Sequence, residues 1–313
     1  MKGMILAAGL GTRLGPLTLE RAKAAIPAAG RAAAAWAALA LARAGVTDVA
    51  VNLHHLPGSV TAALGDGSAL GVRILYSHEP AILGTGGGIR QAIEILGPGP
   101  LLVVNGDVVT DLDLGLLIEH HRRSGAAVTL ALVPRPDHAR FGTVTIGAGR
   151  ITSIAGRRGS STPAEVPAVF AGIHVMEPEA QALLPSAGCV VRETFFAMLD
   201  RAIPIAGYMH RGYWSDIGTP AEYLQNTIDI LRGRAGGLAP PRPLEGGSLI
   251  GDNVRVDGSA RIGPDVVLGD GAVVEPGSDL EACIVWDGAR ASGTLRRAVV
   301  CPGRTVTVEG DGP

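Results

Sequence analysis

The chain has 313 residues, of which 47% are hydrophobic and 18% charged, and its formal net charge is −2. This apolar content excludes a disordered chain, and the interspersed acids and bases exclude a basic surface of the kind that binds nucleic acid. The length predicts one large domain or two ordinary ones.

No segment of the sequence has the features of a signal peptide or a membrane span. The first apolar run, Met4 to Ala8, leads directly into a glycine turn, and the Ala-rich run 32–45 is too short to cross a bilayer. The three cysteines, Cys189, Cys283 and Cys301, form no C-x-x-C spacing. We therefore expect a cytoplasmic protein with reduced thiols and no membrane partner.

Apolar runs alternate with helical stretches through the first two-thirds of the chain. Strands are predicted at 3–9, 48–54, 72–79, 100–109 and 127–134, and helices at 31–43, 57–65, 86–96 and 114–125. Continuous apolar strands separated by helices indicate an α/β fold with a mostly parallel sheet. Such a sheet binds its ligands beyond the carboxyl ends of its strands.

After about residue 140 the pattern becomes rich in β-structure. Residues 141–156 predict a hairpin and 168–176 a strand. A helix over 220–232 is signalled by Thr219 as N-cap and Pro220 as first helical residue. Residues 233–247 are rich in Gly and Pro and predict a linker.

The last part of the chain repeats with a period of six residues. Aliphatic side chains recur at Ile250, Val256, Ile262, Leu268, Val274 and Leu280, and glycine follows three of them. Such a period is typical of a parallel β-helix, here of about three coils. The predicted domains are therefore 1–232, a linker over 233–247, and a β-helix over 248–313.

The glycine-rich turn after the first strand, "LAAGLGTRLGPLT", lacks the third glycine of a dinucleotide fingerprint and the G-K-[ST] of a Walker A loop. It carries Arg13, whose guanidinium can bind two phosphate oxygens, and Lys23 follows ten residues later. Lysine is rare here, since Lys2 and Lys23 stand against 25 arginines. We therefore predict that this turn binds phosphates.

These residues resemble the signature of the sugar-1-phosphate nucleotidyltransferases, although Ala22 and Ala24 replace the prolines that usually flank the lysine. The resemblance implies a Rossmann-like nucleotidyltransferase domain with a mixed, mostly parallel sheet, followed by a short left-handed parallel β-helix. It implies transfer of a nucleotidyl group from an NTP to a sugar 1-phosphate, with release of pyrophosphate. The implied nucleotide-binding residues are Leu6, Ala7, Ala8, Gly9, Gly11, Thr12, Arg13, Lys23, Glu79, Gly84, Thr85 and Gly86.

Two aspartates are placed to bind a metal. Asp107 follows a buried strand, and Asp216 lies in a tight turn before the 220–232 helix. Mg²⁺ is usually held by one or two carboxylates together with substrate phosphates, and the matching aspartates of the family hold the metal. We expect Arg13, Lys23 and Asp107 to be catalytic, and Asp107 and Asp216 to bind Mg²⁺.

The resemblance also places the sugar and the base. Asn105, Gly142, Ala171 and Gly172 are implied at the sugar. Arg157 or Arg158 is the candidate replacement for the family's sugar-phosphate lysine, the alternative being that both are ordinary loop charges. Glu79 can accept a hydrogen bond from an imino N–H, which both guanine and uracil offer. The motif E-P-x-x-L-G-T-G-G-G, which runs from Glu79 to Gly88, fits mannose-1-phosphate guanylyltransferases and N-acetylmuramate-1-phosphate uridylyltransferases equally. The appended β-helix favours the first, with GTP and mannose 1-phosphate as substrates and a homo-oligomer as the assembly.

Two other functions remain open. A catalytically silent regulatory paralogue that binds a nucleotide sugar should have lost some of the residues Arg13, Lys23, Asp107 and Asp216, yet all four are present. A β-helix that transfers acetyl groups usually requires a histidine, but the last histidine of the chain is His210, before the linker. Both alternatives are therefore weaker than an active nucleotidyltransferase.

Overall fold

The computed structural model describes residues 1–159 and 164–309. Positions 160–163 of the predicted first domain and 310–313 of the predicted β-helix lie outside the described residues. The helices are α1 Ala33–Arg43, α2 Pro57–Leu64, α3 Gly84–Leu96, α4 Leu114–Ser124, α5 His138–Phe141, α6 Pro178–Gln181, α7 Phe196–Asp200 and α8 Pro220–Leu231. Within the described ranges, no helix has the length and apolar character needed to cross a membrane.

The strands are short in the second half of the chain. They are β1 Lys2–Leu6, β2 Pro27–Ala28, β3 Arg31–Ala32, β4 Asp48–Leu53, β5 Arg73–His78, β6 Leu101–Asn105, β7 Val108–Thr110, β8 Val128–Val133, β9 Val144–Gly147, β10 Arg150–Ile154, β11 Arg157–Arg158, β12 Val166–Met176, β13 Ile205–Met209, β14 Trp214–Asp216, β15 Leu249–Ile250, β16 Arg255–Val256, β17 Arg261–Ile262, β18 Val267–Leu268, β19 Val273–Val274, β20 Asp279–Val285, β21 Arg290–Ala291, β22 Thr294–Cys301 and β23 Arg304–Thr307.

Contacts divide the chain into two compact units that do not follow chain order. The first unit contains Met1–Gly9, Ala34–Val108 and Leu112–Trp214, and the second contains Leu10–Ala33, Val109–Asp111 and the chain from Ser215 onward. The predicted boundaries, which follow the chain, stay a prediction. In the structure the segment that carries Arg13 and Lys23 packs in the same unit as α8 and the β-helix.

The first unit is built on one mixed sheet of ten strands. Its order is β11-β10-β13-β8-β12-β6-β1-β4-β5, with β9 beside β10 and β12. Strands β6, β1, β4 and β5 are mutually parallel, and the antiparallel pairs lie in the half where the sequence becomes β-rich. The chain passes from β1 to β4 and β5 on one side of β1, and then to β6 on the other side. The strand order therefore reverses between β1 and β6, where ligands bind in such sheets.

The second unit contains the predicted left-handed β-helix. Its coils stack in parallel, with Leu249 beside Val267 and Val267 beside Ile284. The six-residue period follows from this geometry, since three short strands make one coil. Leu268 and Leu280 are 1% and 0% exposed, whereas Val256 in the first coil is 43% exposed.

Two predicted elements differ in the structure. Arg31–Ala32 is a strand paired with Pro27–Ala28 rather than the start of a helix, because Ala29 and Gly30 both have positive φ and close a two-residue hairpin. The predicted strand 100–109 breaks after Asn105, and its end, β7, pairs with β14 in a separate two-stranded sheet. Asp107 lies in the turn between β6 and β7.

A histidine is buried in the core of the first unit. His174 on β12 is 1% exposed, and its ring lies 5.3 Å from the ring of Phe195 and 5.8 Å from that of Phe170. Neither ring nitrogen has a hydrogen-bond partner among the described residues. Burial lowers the pKa of His174 from 6.5 to about 3, so the folded protein holds the ring neutral.

This histidine should make the protein sensitive to acid. The unfolded chain takes up a proton at His174 near pH 6.5 and the folded chain does not until about pH 3, so stability is lost as the pH falls through this window. The expected loss is about 2 kcal/mol by pH 5. His174→Phe should remove this part of the pH dependence, measured by urea unfolding at pH 7 and pH 5, whereas His78→Gln, at an exposed position, should not. Equal pH dependence in His174→Phe and the parent would contradict the assignment.

Candidate functional site

The loop after β1 is held by a side chain of the neighbouring strand. Asn52 on β4 is 2% exposed, and its Oδ1 accepts a hydrogen bond from the backbone N–H of Ala7 at 2.7 Å. The Ala7 amide is therefore already bound and is not free for a phosphate. Gly9 differs, because a Cβ built there meets no atom of the described residues within 4 Å. The loop is thus held in place at Ala7 and has open space beside Gly9.

The amide of Asn52 also fixes the carboxylate of Glu79. Asn52 Nδ2 donates to Glu79 Oε1 at 2.7 Å, and the backbone N–H of Leu83 donates to Glu79 Oε2 at 2.9 Å. Glu79 is 3% exposed. A Cβ on Gly88 would lie 2.7 Å from Glu79 Oε1, so only glycine lets α3 approach this pair. Both oxygens of Glu79 act as acceptors.

The glycines at the start of α3 have a packing role. A Cβ on Gly84 would lie 2.5 Å from the carbonyl oxygen of Gly188, and one on Gly86 would lie 2.7 Å from Pro185. The Gly86 N–H donates to Gly188 O at 2.8 Å, and Thr85 Oγ1 accepts from the N–H of Val190. This glycine run therefore fits the 185–190 segment closely. Nucleotide binding by Gly84, Thr85 and Gly86 stays a prediction.

Three of the predicted sugar residues lie together. A Cβ on Gly172 would lie 2.6 Å from Asn105 Nδ2, and φ at Gly172 is 74°, so two constraints require glycine there. Ala171 is buried, and its carbonyl accepts a hydrogen bond from Trp214 Nε1 at 2.9 Å. Trp214 packs edge-on against Phe141, with ring centroids 5.7 Å apart, and Gly142 follows Phe141 with φ of 83°.

Arg157 is not part of this cluster. It lies on β11, the edge strand at the far end of the sheet from β6, and its guanidinium binds Asp200 through Nε at 2.8 Å and also through Nη2. About half of the Arg157 side chain is exposed. Its role at the sugar phosphate stays a prediction, and the structure gives this arginine another anionic partner.

The second unit brings the remaining cations together with a carboxylate. A Cβ on Gly11 would lie 3.0 Å from Lys23 Cβ, so the turn and the lysine pack directly. Arg13 Nη2 lies 3.8 Å from Asp216 Oδ2, and the Arg13 side chain is 59% exposed. Within this unit the turn therefore packs against Lys23 at Gly11, and two residues further along it carries Arg13 beside Asp216.

A further acidic residue, Glu222, lies beside Gly218 in this unit. A Cβ at Gly218 would lie 2.5 Å from Glu222 Oε2, 3.0 Å from Asp216 Oδ2 and 3.2 Å from Arg13 Nη1. Glu222 lies in the first turn of α8, where its N–H donates to the N-cap Thr219 Oγ1 at 3.2 Å. Two carboxylates and a guanidinium therefore surround the short turn before α8.

Each of the two predicted metal ligands is a carboxylate, which suits a hard divalent cation. Asp107 is half-buried in the turn after β6, where the N–H of Gly106 binds Leu6 O at 2.9 Å, and the side chain of Asp216 is 17% exposed. Among the described residues, no group of three or more His, Cys, Asp or Glu could hold a metal by itself. A cation at either aspartate must therefore complete its shell with water or phosphate oxygens, as Mg²⁺ does at nucleotide sites.

Sequence reasoning missed the residues that hold the site residues in place. Asn52, Trp214, Glu222 and the fully buried Tyr223 were not predicted. Asn52 gave one signal, an amide in the otherwise apolar strand DVAVNL. A buried polar side chain in such a strand needs partners, and these partners turned out to be Ala7 and Glu79.

Comparisons with known proteins agree with this fold. A profile of the nucleotidyl transferase family matches residues 2–233, and a bacterial transferase hexapeptide profile of six repeats matches 247–278. A mannose-1-phosphate guanylyltransferase of Mycobacterium tuberculosis is 35% identical over 92% of this chain and 80% of its own. An N-acetylmuramate α-1-phosphate uridylyltransferase of Neisseria meningitidis is 35% identical over 70% of this chain and 94% of its own.

Two further relatives extend the comparison. Mannose-1-phosphate guanylyltransferase 1 of Arabidopsis thaliana is 28% identical over 93% of this chain and 82% of its own. A crystal structure from Bacillus anthracis, described as a glucose-1-phosphate thymidylyltransferase, superposes with a TM-score of 0.62 at 23% identity, over 79% of this chain and 98% of that one. At this identity the superposition shows the fold.

Proposed function

The chain belongs to the family of sugar-1-phosphate nucleotidyltransferases, and we propose that it makes GDP-mannose from GTP and mannose 1-phosphate. The observation that carries the chemistry is the glycine-rich turn, which packs against Lys23 and places Arg13 beside Asp216 in one unit. The guanylyltransferase match covers 92% of the chain and so extends into the β-helix, whereas the uridylyltransferase match covers 70%.

The reaction requires positioning and charge neutralisation rather than a strong base. A phosphate oxygen of the sugar 1-phosphate attacks the α-phosphorus of the NTP, and the bond from that phosphorus to the β-phosphate bridging oxygen breaks. Because the nucleophile is already an anion, the difficulty lies in bringing two polyanions together. We propose that Arg13 binds the departing pyrophosphate and that Lys23 binds the α- or the attacking phosphate.

A divalent cation completes the proposed site. Relatives of this family generally use one, and we propose Mg²⁺, held by Asp107 and Asp216. When bound, the cation neutralises charge on the phosphates. Arg13 lies 3.8 Å from Asp216. The Asp216 carboxylate therefore lies beside the arginine that we propose to bind the pyrophosphate.

The sugar should bind beside the glycines of the first unit. A Cβ on Gly142 would meet Ala155 at 3.8 Å, an ordinary contact, so the backbone there can be approached closely, whereas Gly172 makes room for Asn105. Ala171 is held by Trp214. We propose that Asn105, which packs against Gly172, donates or accepts a hydrogen bond at the sugar 1-phosphate. We propose that these residues form the sugar site. The proposal of mannose as the sugar rests on the similarity to the guanylyltransferases.

Glu79 supports guanine as the base. Each of its oxygens accepts one internal hydrogen bond, from Asn52 or Leu83, and a carboxylate oxygen has a second lone pair that can accept another. Guanine offers two adjacent donors, N1–H and N2–H, whereas uracil offers one donor between two carbonyl oxygens. We propose that the guanine donors bind these oxygens.

Glu79→Gln should weaken the preference for GTP. The amide nitrogen would face a donor, either Asn52 Nδ2 or the Leu83 N–H, so one internal bond is lost. The amide would also offer one donor and one acceptor, which suits uracil. We expect kcat/KM for GTP to fall by about 10- to 100-fold and the GTP-to-UTP ratio by at least about 10-fold. Glu94→Gln, at an exposed position on α3, should leave the ratio unchanged. An equal fall with both nucleotides would assign Glu79 to loop support alone.

A substrate matrix tests the function as a whole. ATP, CTP, GTP, UTP and dTTP would each be combined with the 1-phosphates of mannose, glucose, N-acetylglucosamine and N-acetylmuramate, and pyrophosphate release would be measured. GTP with mannose 1-phosphate should give the highest kcat/KM. Activity only with UTP and an amino sugar would favour the uridylyltransferase, and no turnover with any pair would favour a silent regulatory paralogue.

We also propose a cytoplasmic homo-oligomer. Val256, in the first coil of the β-helix, is a large apolar residue that is 43% exposed. A second copy could cover this residue by stacking on the coil. Light scattering of the purified chain should give a mass at least twice that of one chain, 31.9 kDa, and the mass of a single chain would contradict the proposal.

A further inference from the structure

The short turn that carries Lys23 is anchored at both ends within the second unit. On one side, Arg21 Nη2 donates to Asp287 Oδ2 at 2.9 Å. The Arg21 guanidinium also lies 5.1 Å from the ring centroid of Trp286, within cation–π distance. On the other side, the carbonyl oxygen of Pro27 accepts a hydrogen bond from Tyr223 Oη at 2.7 Å. Lys23 lies between these two anchors.

The two anchors meet at one buried pair of aromatic side chains. Tyr223 of α8 and Trp286 of the β-helix are both 0% exposed, and Trp286 Nε1 donates to Tyr223 Oη at 3.1 Å. Burial raises the pKa of Tyr223, so its hydroxyl keeps the proton that it donates to Pro27. The bonds run in one direction from Trp286 through Tyr223 to Pro27, and such chains strengthen one another.

The segment between the anchors has little freedom of its own. The N–H of Ala25 donates to Ala22 O at 2.8 Å and that of Ile26 to Lys23 O at 3.3 Å, which makes a single tight turn. Ala24, Ala25 and Ile26 are buried. Because the turn is closed by its own backbone bonds, the anchors at Arg21 and Pro27 fix the backbone from which the Lys23 side chain extends.

We propose that the β-helix is a positioning element for the reaction, because Trp286 and Asp287 fix the turn that presents Lys23 to the phosphates of the nucleotide. The inference rests on the proposed phosphate-binding role of Lys23. It gives the β-helix a part in the chemistry through Trp286 and Asp287, which act on the Lys23 turn and not on the substrate. Tyr223 and Arg21 are positioning residues in this assignment.

An effect on catalysis can be separated from an effect on folding. The Arg21 and Asp287 side chains are 26% and 48% exposed, and exposed ion pairs contribute little to stability. A variant that removes this pair should therefore fold as the parent does. A loss of activity in such a variant would reflect the position of Lys23 rather than the amount of folded protein.

The chain offers matched controls for both anchors. Tyr76 Oη also donates to a backbone carbonyl, that of Gly65 at 2.6 Å, in the other unit. Arg290 also pairs with a carboxylate of the β-helix, Glu275, through Nε at 2.8 Å. Tyr223→Phe is therefore compared with Tyr76→Phe, and Arg21→Met with Arg290→Met.

The readout uses the fact that Lys2 and Lys23 are the two lysines of the chain. Limited acylation followed by mass spectrometry gives the ratio of modification at Lys23 to that at Lys2, with and without GTP and Mg²⁺. In the parent, GTP should protect Lys23. Tyr223→Phe and Arg21→Met should each change the ratio by about 3-fold or more, weaken this protection, and lower kcat by about 10-fold with a smaller change in KM.

The outcomes distinguish the two proposals. Parent Lys23 that GTP does not protect would overturn the phosphate-binding role and this inference with it. Parent protection together with unchanged ratio and kcat in the folded variants would overturn the inference alone. If Tyr223→Phe does not fold, Arg21→Met decides. The same loss of kcat in Tyr76→Phe or Arg290→Met would show a general effect on stability and would also overturn it.

Discussion

Replacing Lys23 with methionine should lower kcat/KM by about 10²- to 10³-fold. The substitution keeps the apolar stem that packs against Gly11 and removes the ammonium. If that charge stabilises the phosphates more strongly in the transition state than in the ground state, most of the loss should appear in kcat. Steady-state kinetics with GTP and mannose 1-phosphate measure it.

Lys2→Met is the matched control for this prediction. Lys2 lies on the first strand, and its Nζ is 3.1 Å from Asp48 Oδ2. One-third of the Lys2 side chain is exposed. We expect kcat/KM of Lys2→Met to stay within about 2-fold of the parent. Lys23→Arg should recover only part of the activity, because a planar guanidinium does not replace a compact ammonium. A Lys23→Met enzyme with nearly the parent's kcat would remove the lysine from the mechanism.

Local sequence patterns predicted the elements of this protein well. The apolar run that ends at Leu53 is a strand, and the Thr219-Pro220 signal begins a helix, with Thr219 Oγ1 accepting from the N–H of Glu222. The period of six predicted the β-helix because each side of a coil needs one inward aliphatic residue. These features depend on neighbours along the chain, which a sequence displays directly.

The period of the β-helix also shows where such reasoning loses accuracy. Leu249 and Val267 are 18 residues apart in neighbouring coils, Val267 and Ile284 are 17 apart, and Ile284 and Val299 are 15 apart. The repeat is regular in the first coil and shortens afterwards. A pattern based on spacing therefore predicts the start of the β-helix better than its end.

Contacts distant in sequence could not be predicted in this way. Nothing in the spacing of Asn52 and Glu79 indicates that one amide binds both Ala7 and that carboxylate. Likewise, Trp286 lies 63 residues from Tyr223, and their hydrogen bond exists only because the β-helix folds back on α8. A sequence shows which groups are present and leaves their partners to the tertiary structure.

The glycines of the site illustrate the same limit. The sequence favoured ligand approach as the reason for Gly84 and Gly86, but the 185–188 segment fills the space where their Cβ atoms would lie. Gly9 does face open space, as expected for a loop that receives a ligand. Glycine in a motif thus indicates a close approach, and only the structure shows whether the approaching group belongs to the protein.

Asp216→Asn should lower kcat/KM by about 10²- to 10³-fold and raise the Mg²⁺ concentration that gives half-maximal activity. The substitution keeps the shape of the side chain while removing the charge that both the cation and Arg13 require. Asp107→Asn should act in the same direction. The measurement is activity as a function of Mg²⁺ at saturating GTP, supported by titration of Mn²⁺ into each variant in the presence of nucleotide.

The control for Asp216→Asn is Asp252→Asn in the same unit. Asp252 is 69% exposed and binds Arg242 at 2.8 Å, so its loss should change neither kcat/KM nor the metal dependence. The two proposed roles of Asp216, in binding the cation and in orienting Arg13, predict different dependences of activity on Mg²⁺. If Asp216 acts through the cation, excess Mg²⁺ should restore part of the activity of Asp216→Asn. If it acts only by orienting Arg13, the half-maximal Mg²⁺ concentration should equal that of the parent, and the proposed metal pair would be wrong.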